Sequence, residues 1–313
     1  MRKTAHSAPT KHMNFLKQTF SEFSKDQCTT LAAALAYYTA FALPPLLYLL
    51  LTVLTFGLSV AYESKNAKER ATAVLEDQAA EMLGNETAAK GISTILENNE
   101  KSGGQWWKTL VSLAGIIVGA TGLVGALQAS LNRVWHDRPD PETSGIMMIL
   151  WKRVISFAMI LGLGFLLLVS LVVSSVLSGA GERVSEVIGI SGGTADVINY
   201  LVQAVVVFIV FAAIFKFMPD AHVEWNEVAV GAVVTTVLFL LGRIAMQLYF
   251  SFSAPGAQLG AAAASLAVIL VWVYYTSMIV LLGAEVTQVY SMRYGGGIRP
   301  VKNAVEVEER IKR

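Results

Sequence analysis

Charge is scarce in this chain. Only 15% of its 313 residues are Asp, Glu, Lys or Arg, against about 25% in a soluble domain. A soluble protein of this length would bury a good core but would still need a charged surface. Here the charges fall in clusters between long apolar runs, which is the pattern of a bilayer protein. Net charge is nearly absent as well, at +1, so general nucleic-acid binding has no electrostatic support. Cysteine is present once, as Cys28, which excludes an intrachain disulfide. The four histidines, His6, His12, His136 and His222, stand in no metal-ligand spacing such as HExxH, and no Walker loop is found. Metal-dependent catalysis and ATP-driven transport therefore have no motif here. Neither a cofactor nor an enzymatic activity is expected. No apolar h-region with a small-residue cleavage site precedes residue 31, so no removable signal peptide is expected.

What is abundant is apolar sequence, 54% of the chain. Segments near 31–60, 107–127, 154–178, 197–218, 227–249 and 262–286 each reach the ~20 residues that span a bilayer. The expected fold is all-α and polytopic, with about six transmembrane helices. Lys and Arg set the direction. Arg2, Lys3, Lys11, Lys17 and Lys25 precede the first span, Arg133, Arg138, Lys152 and Arg153 lie between the second and third, and Arg299, Lys302, Arg310, Lys312 and Arg313 follow the last. Both tails are expected in the cytoplasm.

Three regions follow from this reading. Residues 1–30 form a cytoplasmic N-tail, in which Phe15, Leu16, Phe20 and Phe23 oppose Lys17 and Lys25 as an amphipathic interfacial helix. Residues 31–290 form the membrane domain, with an acidic, helical extracytoplasmic insertion at 61–106. Residues 291–313 form a charged cytoplasmic C-tail, mobile after Gly295-Gly296-Gly297.

Ionisable and helix-breaking residues inside spans are the candidate functional residues. Arg243 lies in the outer half of the fifth span, where it contacts an anion or lipid phosphate, or snorkels to headgroups. Glu285, at the inner end of the sixth span, is too far in depth from Arg243 to pair with it. Its expected partners are Lys216, Lys152 or Arg153, as a structural ion pair. Pro44 and Pro45 should kink or break the first span. Such a break opens a cavity lined by residues such as Tyr38, or serves packing alone. Asn132, Gln203 and Gln247 add polar groups near or within the spans. Gly115, Gly119, Gly122 and Gly125, with Gly256, Gly260 and Ala264, form small-xxx-small faces for helix contacts or a homo-oligomer.

The stretch from Ala32 to Thr39 (AAALAYYT) and that from Gln128 to Trp135 (QASLNRVW) resemble the YihY/BrkB family of bacterial inner-membrane proteins. Met218-Pro219 before Trp225, Gly231, and Gly283-Ala284-Glu285 extend the resemblance over about residues 15–290. Ala42 and Leu259 depart from it, where similar sequences often carry Ser and Tyr. The resemblance implies a six-helix protein of the bacterial cytoplasmic membrane with lipids as its surroundings, and no settled activity. The family has carried an old ribonuclease BN label, but this chain has no metal site for RNA hydrolysis. The leading expectation is a transporter or flippase-like protein for an amphiphile or small solute. The alternative is an envelope scaffold acting through 61–106; a membrane-bound ribonuclease ranks third.

Overall fold

The computed structural model describes residues 14–59, 64–83, 122–139, 193–252, 261–300 and 304–306. These are mostly helical: α1 (Phe15–Lys25), α2 (Cys28–Leu58), α3 (Ser64–Leu83), α4 (122–134), α5 (Gly193–Phe217), α6 (Trp225–Phe252) and α7 (Ala261–Tyr294). Short strands β1 (Asp137–Pro139), β2 (Ala221–His222), β3 (Arg299–Pro300) and β4 (Ala304–Glu306) join the ends. Trp225–Tyr249 and Ala267–Tyr294 are long and apolar enough to cross a membrane, and Cys28–Leu43 and Gln203–Phe217 are shorter apolar stretches. The expected span at 154–178 and most of that at 107–127 lie outside the described residues, as do Lys152 and Arg153, two of the three expected partners of Glu285.

α7 is the central helix, packed by α6, α2 and α1. From Gly283 to Val289 every residue is buried, so this part of the helix faces protein on all sides. α6 lies antiparallel against it in close register. Gly231 and Thr235 of α6 meet Gly283 and Thr287 of α7 reciprocally. A Cβ on Gly231 would collide with Thr287 Oγ1, and one on Gly283 with Thr235 Oγ1. Each threonine hydroxyl occupies the space left by the opposite glycine. Both hydroxyls are satisfied within their own helices, Thr235 donating to Gly231 O at 2.8 Å and Thr287 to Gly283 O at 3.0 Å. Further along, Tyr275 donates to Leu238 O at 2.8 Å, its ring pressed on Gly242.

The opposite face of α6 exposes Val233, Val237, Leu241, Ile244 and Leu248. An apolar stripe of this length on the outside of the fold suits lipid rather than water. α3 packs on α2 through Ala67, Ala71 and Leu75, which are buried at four-residue spacing. It agrees with the expected helix at the start of the 61–106 insertion; the remainder of that insertion is outside the described residues.

Two sequence expectations are corrected. α2 stays helical through Pro44 and Pro45, so of the kink or break expected there the break does not occur. A proline inside a helix removes one N–H and crowds the preceding turn, which bends a helix more often than it ends one. The tail after α7 is not free of the fold. Gly295 and Gly297 N–H groups donate to Ser291 O, and Gly297 takes a left-handed φ of 77° that turns the chain back. β3 then pairs antiparallel with β2, and β4 with β1. Backbone pairing needs no apolar side chains, so the charged composition of the tail gave no sign of it.

α1, the residues after α4, the α5–α6 loop and the C-terminal strands therefore meet at one end of the bundle. Leu16 and Phe20 of α1 project outward there, as do Phe217 and Trp225, whose rings meet edge to face with Lys216 Nζ 5.4 Å from the Trp225 ring centre. Such outward apolar and aromatic groups beside cations match a membrane–water interface.

The crossing yields a prediction. Gly231→Ala and Gly283→Ala should each lower stability by about 1–3 kcal/mol through overpacking. Gly122→Ala, whose Cβ would meet nothing within 4 Å, should be near neutral. Denaturant unfolding in detergent micelles checks the contrast; equal effects at all three positions would remove the crossing as the cause.

Candidate functional site

The end of the bundle where the chain segments converge holds an unusual number of buried polar side chains. α7 contributes three of them, Glu285, Gln288 and Ser291, on successive turns. Ser291 and Glu227 form a closed structural unit. Ser291 Oγ donates to Glu227 Oε1 at 2.6 Å, while Glu227 Oε2 accepts the Glu224 backbone N–H at 3.1 Å. Glu227 thus caps the N-terminus of α6 from its third position and ties it to α7.

Glu285 is fully buried and is met differently. Cys28 Sγ, at the start of α2, donates to Glu285 Oε1 at 3.5 Å. The Asp26 carboxyl, in the turn between α1 and α2 and two residues before Cys28, is a second buried carboxyl at the same place. Asp26 Oδ1 faces His136 Nε2 at 3.5 Å, and His136 Nδ1 contacts Gln288 Nε2 at 2.9 Å. The result is a continuous row from Cys28 through Glu285, Asp26 and His136 to Gln288. Asp26 Oδ2, Glu285 Oε2 and Gln288 Oε1 are buried without a hydrogen-bond partner among the described residues. Buried acceptors of this kind are costly, and three in one row require explanation.

Two left-handed residues place this row. Gln27 (φ 55°) turns the chain between Asp26 and Cys28, and His136 (φ 58°) turns it after α4. Non-glycine residues adopt this conformation rarely, at a cost of roughly 1–2 kcal/mol. Trp135 holds the second turn in place, its Nε1 donating to Ala284 O at 3.1 Å beside Glu285. About two turns further along α7, Arg293 donates from Nε and Nη2 to Gln18 Oε1 of α1 at 2.8 and 2.6 Å, fixing α1 over the site.

The residues singled out from sequence sit as follows. Arg243 donates to Gln203 Oε1 of α5. The α6–α7 register puts it about ten residues, or ~15 Å, from the level of Glu285, so the two are separate sites as expected. Gln247 is exposed one turn beyond Arg243, and Tyr38 is exposed on α2. Asn132 is committed to a clamp, donating to Asp220 Oδ2 and accepting the Asp220 backbone N–H, both at 2.9 Å. The expected Glu285–Lys216 ion pair does not form. Lys216 Nζ donates to Val223 O at the α5–α6 loop, and Glu285 meets a thiol and a carboxyl instead. Proximity to one membrane face was a sound reason to seek a partner for Glu285. Asp26, Cys28 and His136 sit on that same face in sequence, at the ends of other spans, and are the residues the reading missed. Among the described residues no three His, Cys, Asp or Glu side chains are grouped to hold a metal ion.

The fold and this site define a helical membrane protein with ionisable groups buried at one end of its bundle. A family profile described as "Virulence factor BrkB" matches residues 19–307, and the chain belongs to that family. A "UPF0761 membrane protein" of Halorhodospira halophila is 30% identical over 278 residues, covering 88% of this chain and 57% of the relative. "UPF0761 membrane protein YihY" of Salmonella typhimurium is 30% identical over 204 residues, 64% of each chain. A "UPF0761 membrane protein" of Alteromonas mediterranea is 25% identical over 284 residues, 87% of each. The chain thus spans 57% of the Halorhodospira relative's length and 64% of the Salmonella one's. No solved structure matches the chain.

His136 supplies a pH prediction. The Asp26 carboxyl beside it pulls its pKa above the ordinary 6.5, outweighing partial burial, which acts the other way. A raised folded-state value means that the contact stabilises fully below the unfolded pKa and is lost as pH rises through the folded one. The imidazole is 45% exposed, so screening holds the contribution to about 1 kcal/mol or less. His136→Gln should therefore destabilise more at mildly acidic than at alkaline pH in unfolding titrations. A penalty independent of pH would show that the imidazolium–carboxylate contact contributes nothing.

Proposed function

We propose that this chain is a multi-pass protein of the bacterial cytoplasmic membrane, with both termini inside, that moves an amphiphile or small solute across the bilayer without enzymatic turnover. The observation that carries the reading is Arg243 engaged by Gln203 across the α5–α6 interface, well inside an apolar helix. An intramembrane arginine is costly, and one held by a polar group of a neighbouring helix is placed rather than merely tolerated. An arginine needed only for anchoring would reach along its own helix to the headgroups. Tyr38, on α2, and Gln247 lie near the same depth and are further candidates to line the path, beside the Pro44-Pro45 segment. The convergence of α1 and the C-terminal strands at one end supports placing both tails on one side, and the positive charges of the tails favour the cytoplasm for that side.

One observation favours a second reading, an envelope scaffold. α3 is anchored to α2 by a small-residue stripe while Lys68, Glu69 and Arg70 face outward, so it offers a rigid, charged surface. Replacing 61–106 with a short linker separates the two readings, since transport should survive it and scaffolding should not.

Arg243→Gln should cut movement of a fluorescent anionic phospholipid in proteoliposomes at least tenfold, with Arg243→Lys retaining part of it. Wild-type protein that moves neither lipid nor solute under any imposed gradient would reject the transport reading.

A further inference from the structure

Three buried acceptors have no partner among the described residues, in a row that contains two carboxyls. Asp26 Oδ2 and Glu285 Oε2 belong to two buried carboxyls that the α1–α2 turn and the Cys28–Glu285 contact bring to the same place in the fold. Two carboxylates so placed repel, and each leaves an oxygen unsatisfied. A single proton between them removes the repulsion and turns one acceptor into a donor for the other. We propose that the Asp26–Glu285 pair is a proton-binding site, filled and emptied from the aqueous face through His136.

The neighbours of the pair are consistent with this assignment. Cys28 offers Glu285 a thiol hydrogen and no positive charge. Glu22 of α1 and Asp137 of β1 add negative charge to the site, felt at His136. Among the described residues, cations at this end include Arg133 near the end of α4, Lys25 paired with Glu22, and Arg293 bonded to Gln18. No ion pair between Glu285 and a cation is found among the described residues. Glu285 and Gln288 are 0% and 4% exposed, so water is excluded from both.

His136 connects the pair to solvent. Its imidazole is half-exposed, with Nε2 toward Asp26 Oδ1 and Nδ1 toward Gln288. A proton taken from water at Nδ1 of the half-exposed ring, when the Gln288 contact opens, makes the imidazolium. Release from Nε2 to Asp26 leaves the neutral Nδ1–H tautomer, so one proton moves and none is lost. Neutral His136 uses Gln288 Nε2 as the donor to Nδ1. Imidazolium needs an acceptor there, and the unpartnered Gln288 Oε1 supplies it after an amide flip. Gln288 can therefore serve both states of the ring. The left-handed turns at Gln27 and His136 bring the two sides of this row together, and strain of that kind gathers at functional sites. The site stands whether or not the chain moves an amphiphile.

Infrared spectroscopy of the full chain in lipid nanodiscs tests it. Wild type at neutral pH should show a protonated-carboxyl C=O band that shifts in D2O and disappears at high pH. Glu285→Gln and Asp26→Asn should each lose it. His136→Gln should keep the band and slow its hydrogen–deuterium exchange at least tenfold. Separate 13C-labelling of Asp and of Glu in the wild type needs no variant: one of the two labels should move the band. A wild type without such a band at neutral pH, or with a band moved by neither label, overturns the site. Unchanged exchange in His136→Gln overturns the route through the imidazole.

Discussion

The close approach of α6 to α7 is the constraint on which the rest of this structure depends. Within a bilayer, apolar surface gains little from leaving lipid for protein, so helices associate through tight packing and hydrogen bonds. Gly231 and Gly283 permit the backbones to approach, and Thr287 and Thr235 fill the spaces they leave. Because each hydroxyl bonds its own helix four residues back, the contact buries no unsatisfied polar atom at either threonine. The same register carries Ser291 to Glu227 and Tyr275 to Leu238. One crossing thus sets the depth of every other group on both helices.

Depth is what gives the polar residues their meaning. With α7 buried on all sides between Gly283 and Val289, Glu285 cannot reach water by a rotamer change. Its charge must be met by whatever packs there, and the groups that pack there are a thiol, a second carboxyl and, one step out, an imidazole. Glu227, one turn of α6 beyond the crossing, is also buried, but its two oxygens are both satisfied by donors. The two glutamates differ in partners rather than in burial. That difference separates a structural carboxylate from a chemically open one.

Much of this architecture was legible in the sequence. Four of the expected spans coincide with α2, α5, α6 and α7, because long apolar runs report helices directly. The amphipathic α1 was legible from its aromatic spacing. The crossing was not: glycines at 115–125 and 256–264 carry denser small-residue patterns than Gly231 or Gly283, yet a Cβ on Gly122 or Gly125 would meet nothing within 4 Å. A small-residue pattern shows that helices can approach, and only the partner helix decides where they do. The polar row was hidden for a similar reason. Asp26, His136 and Glu285 are far apart in sequence, and each alone reads as an ordinary residue at the end of a span. Placing every ionisable residue at its membrane level, rather than along the chain, would have grouped them.

The contacts also differ in strength along the row, and that bears on which parts can move. Ser291–Glu227 at 2.6 Å and the two Arg293–Gln18 bonds are short and involve charge. Cys28–Glu285 and His136–Asp26 are both 3.5 Å, at the weak end of their kind. The firm contacts join α6 to α7 and α1 to α7. Trp135–Ala284 at 3.1 Å and His136–Gln288 at 2.9 Å likewise join the residues after α4 to α7. The long ones lie at Asp26 and Cys28, around the α1–α2 turn. Rearrangement at this end of the bundle therefore costs least across the carboxyl pair itself. A proton gained or lost at the carboxyl pair would act on a locally loose contact inside an interface that α2 and the Trp135–Ala284 bond otherwise hold closely to α7.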